Sequence, residues 1–355
     1  VTRVWTGSSD DACEGARGPL LETESVLPDF HIVLRRVRGN HKDFRRIARQ
    51  FEEAGLTLGS WQETFEHIVT TVGKQPGSNS AKPKCRLAAG SRADESTKEI
   101  LRSTLAVMRA NEEGIKADWD TEFLHDFRTA VRRTRSALTQ IPKVVPAEIT
   151  DSYKQAFAEL GARTNQLRDL DVYLLAESEY RAMLPKPMRD HISPLFDYMR
   201  AQRGQVLGDV VDYLDSAPYF VMLADWEAFL CEPAPEEPTA QNAAIAIDEL
   251  ARRCIAKQYR RVIKDGKKVH ESDEDELVHQ LRIDCKTLRY LLEFFADLFP
   301  KKKIDKLIKQ LKSLQDELGA FNDLSVQQAY LLQVAKILPA DDQAAKLGLV
   351  AVGVL

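Results

Sequence analysis

Apolar residues recur at intervals of three and four along most of the chain after Ser91, a spacing typical of amphipathic helices. The same region is rich in Ala, Leu, Glu, Lys and Arg, which favour helices, and strand-like alternation is nearly absent from it. Before it, residues 30–39 have the pattern of a strand ending in a turn, and residues 41–58 that of an amphipathic helix stopped near Gly55. We therefore predict a largely helical protein with a small N-terminal part that mixes strand and helix.

Two segments interrupt the helical pattern. Residues 73–84 (GKQPGSNSAKPK) are rich in Gly, Pro, Ser and Lys, and residues 231–242 contain three prolines, which cannot continue a helix. These breaks predict five parts: an N-terminal segment over residues 1–72, a linker over 73–92, a first helical half over 93–230, a second linker over 231–242 and a second helical half over 243–355.

A short segment occurs twice in related form, as HDFRTAVRRTR (residues 125–135) and HQLRIDCKTLR (residues 279–289). The second copy follows the first by 154 residues, from position 125 to position 279. The hexapeptides LRDLDV (residues 167–172) and FNDLSV (residues 321–326) are separated by the same distance. Two separate motifs that share one offset indicate an internal duplication.

Placed on a helix, each copy separates a basic face from an apolar face. The basic face has a histidine and three cations in both copies: His125, Arg128, Arg132 and Arg135, then His279, Arg282, Lys286 and Arg289. The apolar face contains Leu124, Phe127, Val131, Thr134 and Leu138 in the first copy, and Val278, Leu281, Cys285, Leu288 and Leu292 in the second. We expect the first helix to end before Pro142 and the second to run on towards Pro300.

A charged helix face is most often simply solvated, and this remains the alternative interpretation. Solvated faces normally mix the two signs so that neighbouring side chains attract, whereas these faces are nearly all positive. Arginine also outnumbers lysine on them, and a guanidinium can hold phosphate oxygens through two hydrogen bonds. We therefore favour an anion-binding surface, to which other predicted helices add Lys257, Arg260, Arg261, Lys264, Lys302, Lys306 and Lys309.

Composition limits the kind of partner. The 355 residues include 50 Lys and Arg against 54 Asp and Glu, so any anion site must be local rather than a general basic coat. Five scattered cysteines without a CxxC pair favour reduced thiols in a cytoplasmic protein. No apolar run approaches a membrane span, and the first residues lack a basic-then-apolar signal sequence. We expect no membrane contact.

The repeated segments resemble those of the CHAD family, the conserved-histidine α-helical domain. The family pattern is a helix of the form HxxRVxxRRxR and a later LGxxRDLDV-like segment, both repeated. The resemblance covers roughly residues 93–355, with Thr129 in the valine position and a weaker second copy. It implies an all-α fold of two antiparallel four-helix bundles, related by a pseudo-twofold axis, whose basic faces line a central pore or groove.

The resemblance implies inorganic polyphosphate as the ligand and association with polyphosphate granules. It places in the binding surface the residues His125, Arg128, Arg132, Arg133 and Arg135, with His279, Arg282, Lys286 and Arg289 opposite, and Arg168 of the LRDLDV segment joins this set. The aspartates of the second motif are expected to cap helices or orient arginines rather than to catalyse: Asp169, Asp171 and Asp323. We predict no metal ligand and no cofactor.

Polyphosphate has a negative charge on every unit and no bases, which suits a basic surface with little aromatic lining. A nucleic-acid partner is disfavoured because single-stranded sites interleave aromatic side chains with the cations. An enzyme is also disfavoured, since phosphate transfer requires clustered carboxylates for Mg²⁺. The alternatives are a phosphate-chain-hydrolysing enzyme or its regulatory subunit, and a scaffold that docks nucleic acid or an acidic protein.

Residues 33–58 are similar to the C-terminal strand and helix of a CYTH triphosphate-tunnel domain, which often precedes a CHAD domain. The tunnel's hallmark is an ExExK strand, but ETESV (residues 22–26) has Val in the lysine position. Fewer than ninety residues also cannot supply all the strands of a closed tunnel. Residues 1–72 are therefore predicted to be a remnant or irregular segment without triphosphatase activity.

Overall fold

The computed structural model describes residues 2–7, 30–35, 41–55, 57–59, 85–271 and 275–318. The chain divides into two compact units, Val1–Asn79 and Ser80–Leu355. None of the described helices is both long enough and apolar enough to cross a membrane.

Among the described residues of the first unit are a small antiparallel sheet and one helix. The central strand β1 (Thr2–Gly7) pairs with β2 (Phe30–Arg35) on one side and with β3 (Thr57–Gly59) on the other. Helix α1 (His41–Glu53) lies between β2 and β3 in the sequence. Gly55 follows it at φ +83°, a left-handed conformation that favours glycine after a helix. The predicted strand and the helix that stops near Gly55 are confirmed.

Every regular element described in the second unit is helical, which confirms the all-α prediction for this part. The elements are α2 (Ala93–Lys116), α3 (Thr121–Gln140), α4 (Ala147–Arg163), α5 (Asn165–Leu175), α6 (Glu177–Met183), a 3₁₀ helix (Lys186–Ile192), α7 (Ser193–Leu214), α8 (Ala217–Cys231), α9 (Ile247–Glu271), α10 (Asp275–Phe294), a 3₁₀ turn (Ala296–Leu298) and α11, which occupies residues 301–318.

Helix α3 is embedded in the main hydrophobic core, where it packs mainly against α2 and α4. Its predicted apolar face is confirmed, because all five of its members are buried: Leu124, Phe127, Val131, Thr134 and Leu138. The same core contains Trp226 of α8, which is fully buried with Tyr153 and Phe157 of α4 against its ring. Because the apolar face of α3 is buried in this core, the basic face of the helix points away from it.

Helix α10 packs mainly against α9 and uses its apolar face in the same way. Leu281, Cys285, Leu288 and Leu292 are buried, in a smaller cluster with Val262 of α9 and Ile304 of α11, and Val278 is half-buried. The α10 helix also contacts α3. The two helices that contain the repeated motif are therefore neighbours in space.

The 154-residue offset of the motifs extends to the helix boundaries. Helices α2 and α9 begin at residues 93 and 247, and α3 and α10 both begin and end at positions separated by that offset. The end of α3 at Gln140 confirms the predicted stop before Pro142. The prediction that α10 runs on towards Pro300 is wrong: it ends at Phe294, and the fully buried Phe295 leaves the helical path at ψ 16°.

Two backbone hydrogen bonds join the starts of α2 and α9. The Ala93 N–H donates to the Ile245 carbonyl at 2.9 Å, and the Ile247 N–H donates to the Ser91 carbonyl at 2.9 Å. The two bonds are reciprocal. The donors, Ala93 and Ile247, occupy matching positions 154 residues apart, and so do the acceptors, Ser91 and Ile245. They also satisfy first-turn N–H groups that helix geometry leaves without an intrahelical partner.

Candidate anion-binding site

Helices α3, α10 and α11 enclose a cavity of about 530 Å³, here called the basic cavity. It brings together six residues of the predicted binding set: His125, Arg132, Arg133, Arg282, Lys286 and Arg289. The rest of its lining is Thr129, Tyr290, Glu293, Ile308, Lys312, Gln315 and Asp316. Six of the described lining residues are thus cations at neutral pH and two are carboxylates, so the cavity attracts anions.

A second cavity of about 390 Å³, here called the side cavity, shares Arg132, Lys286 and Tyr290 with the first. Its lining adds Arg135 of the predicted set and Lys154 of α4, which sequence reasoning missed. All the charged residues described in its lining are basic. An anion longer than one phosphate group can therefore meet cations continuously across Arg132 and Lys286.

Arg133 is not part of the basic face of α3, and it is buried, with 6% of its surface exposed. Its Nη2 donates to Oε2 of Glu293 at 2.8 Å, which forms an ion pair between α3 and α10. The other oxygen of Glu293 accepts from Nη1 of Arg289 at 2.9 Å. Both guanidiniums also approach the ring of Tyr290, at 5.9 Å and 5.2 Å from its centroid. One carboxylate and one ring thus hold an arginine from each copy of the motif.

Glu293 was absent from the sequence predictions. The spacing of four residues between Arg289 and Glu293 is the usual sign of an ion pair along a helix, and could have indicated that contact. The contact of Glu293 with Arg133 had no such signal, because it joins residues that are far apart in the chain.

Arg128 holds the junction of α4 and α5. Its Nη1 donates to the Gly161 carbonyl at 2.9 Å and to Thr164 Oγ1 at 2.6 Å, and its Nη2 donates to Asn165 Oδ1 at 2.7 Å. Burial and the nearby charge of Arg132 lower the pKa of Arg128 to about 10, so it remains protonated at neutral pH. This guanidinium is largely engaged by the protein's own acceptors, and it does not line either cavity.

His125 is half-buried at the edge of the basic cavity. Burial, followed by the charges of Arg168 and Arg132, lowers its pKa below the ordinary value for histidine, so the ring is neutral at pH 7. Ligand atoms of Glu122, His125 and Asp126 lie within 4.8 Å of one another, close enough for a cation by distance alone. The charges of Arg168 and Arg132 offset those of the two carboxylates, which weakens the attraction of this group for a metal ion.

Other members of the predicted set lie elsewhere in the helical unit. The seven cations predicted on α9 and α11 are exposed and line neither of the two described cavities: Lys257, Arg260, Arg261, Lys264, Lys302, Lys306 and Lys309. Arg261 is within 3.0 Å of the buried Asp284. Arg168 donates to the Thr121 carbonyl at 3.5 Å, and the half-buried His279 lines neither cavity.

The aspartates of the second motif have different surroundings. Asp171 is 1% exposed and accepts from Nε of Arg203 at 2.7 Å, while Arg203 also pairs with Asp118. Asp171 therefore orients an arginine outside the predicted set. Burial raises the pKa of Asp169, an effect that the charges of Arg128 and Arg168 oppose. Asp323 lies outside the described residues.

Comparison with known proteins agrees with this architecture. The family model of the CHAD domain matches residues 99–332, about two thirds of the chain, and the protein therefore belongs to the CHAD family. No curated protein sequence compared with the chain matches it significantly.

Two solved structures have a similar fold. The CHAD domain from the plant Ricinus communis is 24% identical, with a TM-score of 0.63 over 76% of this chain and 89% of that chain. PptA from Streptomyces chartreusis is 17% identical, with a TM-score of 0.55 over 74% of this chain and 93% of that chain. At these identities the likeness shows the fold alone.

The different surroundings of Arg128 and Arg132 predict different effects on stability. Arg128→Ala should lower the free energy of unfolding by about 1–3 kcal/mol, because the Gly161 carbonyl and the Thr164 hydroxyl lose their donor. Arg132→Ala should lower the free energy of unfolding by less, since among the described hydrogen bonds Arg132 donates only to Thr129 of its own helix. Urea unfolding of the full chain measures both, and equal losses would contradict the assignment of Arg128 as a structural residue.

Proposed function

We propose that this CHAD protein binds inorganic polyphosphate in the basic cavity and the adjoining side cavity, and that it does not hydrolyse the chain. The observation that carries the proposal is the basic cavity itself, where α3 and α10 bring together cations from segments 154 residues apart. Phosphate oxygens are ligands that guanidinium groups hold strongly, through charge-assisted hydrogen bonds. A polyanion with one charge per unit matches a lining of closely spaced cations.

The proposal includes a pseudo-twofold arrangement of two related helical bundles with a central basic groove. Three observations support it: the equal offset of the helix starts, the reciprocal bonds of Ala93 and Ile247, and the contact between α3 and α10. The cations of α9 and α11 outside the cavities are proposed to contact distant parts of a long chain. We also propose that the protein is cytoplasmic and associated with polyphosphate granules. The four described cysteines are free thiols, which agrees with a reducing compartment.

The surroundings of Tyr290 favour polyphosphate over a nucleic acid. Tyr290 lines both cavities, but it is 5% exposed and already has the guanidiniums of Arg133 and Arg289 near its ring. A base could stack on it only by displacing these cations. Single-stranded nucleic-acid sites depend on such stacking for much of their affinity.

The carboxylates of the basic cavity do not suit metal-assisted hydrolysis. Glu293 already accepts from two arginines, and Asp316 is exposed. Activation of phosphate transfer by Mg²⁺ requires carboxylates that are available and clustered around the ion. We therefore propose a binding protein, with the hydrolase as the rival that the turnover assay below addresses.

Binding should be dominated by charge and should depend on both motif helices. Labelled long-chain polyphosphate titrated against the full chain should lose affinity steeply as salt rises, because binding releases counterions. Arg132→Ala and Lys286→Ala should each weaken binding about tenfold or more, since each removes a cation shared by the two cavities. The matched control is Arg163→Ala, an exposed arginine of α4 paired with Glu159 and outside both cavities.

Affinity that is insensitive to salt, or that survives in the Arg132→Ala, Lys286→Ala double variant, would overturn the proposal. RNA and triphosphate added as competitors separate the alternatives. RNA that displaces long-chain polyphosphate at equal charge would favour the nucleic-acid scaffold instead.

Binding should strengthen as the pH falls from about 7.5 to about 5.5. His125 is neutral in the free protein at pH 7 because its pKa is lowered, and a bound polyanion favours its charged form. The pKa of His125 is then higher in the complex than in the free protein, so proton uptake and binding assist each other. Isothermal titration across this range should show the gain in wild type and a smaller one in His125→Gln. Identical pH profiles would exclude His125 from the binding surface.

Purified protein with Mg²⁺ or Mn²⁺ should release no orthophosphate from polyphosphate or triphosphate, since the described cavity carboxylates are engaged or isolated. A malachite-green assay on the full chain measures the release. Turnover that persists through further purification and disappears in Asp169→Asn would establish the hydrolase.

A further inference from the structure

The two helices that contain the motif, α3 and α10, differ in charge at several matched positions, and two of these meet in space. Arg133 of the first copy corresponds to Thr287 of the second, and Thr139 of α3 corresponds to Glu293 of α10, each with the 154-residue offset. The two charged members of these pairs are the partners of the 2.8 Å ion pair between α3 and α10. The difference at the second pair therefore places a carboxylate, that of Glu293, four residues after Arg289 of the second copy, where the first copy has a threonine.

Glu293 is placed where a bound anion would be expected. Its carboxylate lines the basic cavity, is 20% exposed and accepts from Nη1 of Arg289, which is also 20% exposed. The first copy offers a contrast, because Arg135, the counterpart of Arg289, is exposed in the side cavity and has Thr139 four residues later. A carboxylate and a phosphate group bind a guanidinium through the same kind of N–H donor, so Glu293 competes with a phosphate for Nη1 and for the charge of Arg289.

We propose that Glu293 is an intramolecular competitor for phosphate: it occupies Arg289 in the free protein and must be displaced from that guanidinium when a chain binds. This inference rests on the proposed function and names a residue that sets the affinity of the site for phosphate chains. Glu293 lowers the affinity for phosphate chains and speeds their release, because a departing phosphate is replaced on Arg289 by a carboxylate already in place. The side cavity, whose described charged lining is all basic, has no such competitor, so the two ends of the bound chain are held unequally.

The isosteric variant Glu293→Gln tests this in the full chain. It removes the charge while keeping an oxygen that can accept a hydrogen bond from Arg133. Affinity for triphosphate and for long-chain polyphosphate should rise about tenfold, because the neutral amide of Gln competes for Arg289 less strongly than the carboxylate does. Dissociation should slow, and the log–log salt slope should steepen by about one, as one more cation exchanges its counterion. A purely structural role would leave the slope unchanged.

A matched control and a reverse variant separate local competition from net charge. Asp316→Asn removes the same charge from the same cavity at an exposed side chain, and it should tighten binding by no more than about threefold. Thr139→Glu places a carboxylate four residues after Arg135 at an exposed position, and it should weaken triphosphate binding by roughly threefold.

Each outcome decides the inference. If Glu293→Gln binds no more tightly than Asp316→Asn, or with an unchanged salt slope, Glu293 is not a competitor. If Glu293→Gln does not fold because Arg133 loses its counter-charge, Thr139→Glu decides: unchanged affinity overturns the inference and weaker affinity supports it. Failure of the proposed function is a different result, in which wild-type protein binds no phosphate chain at all.

Discussion

Repulsion between like charges is the constraint on which the arrangement of α3 and α10 depends. Arg132 and Arg133 of α3 face Arg282, Lys286 and Arg289 of α10 across the basic cavity, and these cations repel one another. The helices stay together because Leu291 and Phe294 of α10 are buried in the same main hydrophobic core as the apolar face of α3. The ion pair of Arg133 and Glu293 adds a direct attraction between the two helices, and the Arg133 side chain that makes it is buried.

Some arginines of the motif already donate hydrogen bonds to acceptors within the protein. Arg128 donates hydrogen bonds to three acceptors at the junction of α4 and α5. Arg133 donates to the carboxylate of Glu293, across the interface between α3 and α10. These two contacts position the scaffold, while Arg132 and Lys286 face both cavities. A motif rich in arginine thus divides into residues that hold helices together and residues that line the two cavities.

The apolar faces of both motif helices could be predicted because helical periodicity records which side is buried. Leu124 and Phe127 of α3, like Leu281 and Cys285 of α10, are buried as that periodicity requires. The end of α10 could not be predicted in the same way. Apolar residues continue past Phe294, but packing of Phe295 into the core turns the chain there.

By itself the sequence determined the helical class, the repeat with its 154-residue offset, and the cationic side of each motif helix, because these are properties of local spacing and residue type. Only the tertiary structure decided which cations share a cavity, since that depends on how α3, α10 and α11 pack. It added Lys154 and Lys312 and left the cations along α9 outside both cavities. It also decided that Glu293 lies against Arg133, a contact that no periodicity records because it joins two distant helices.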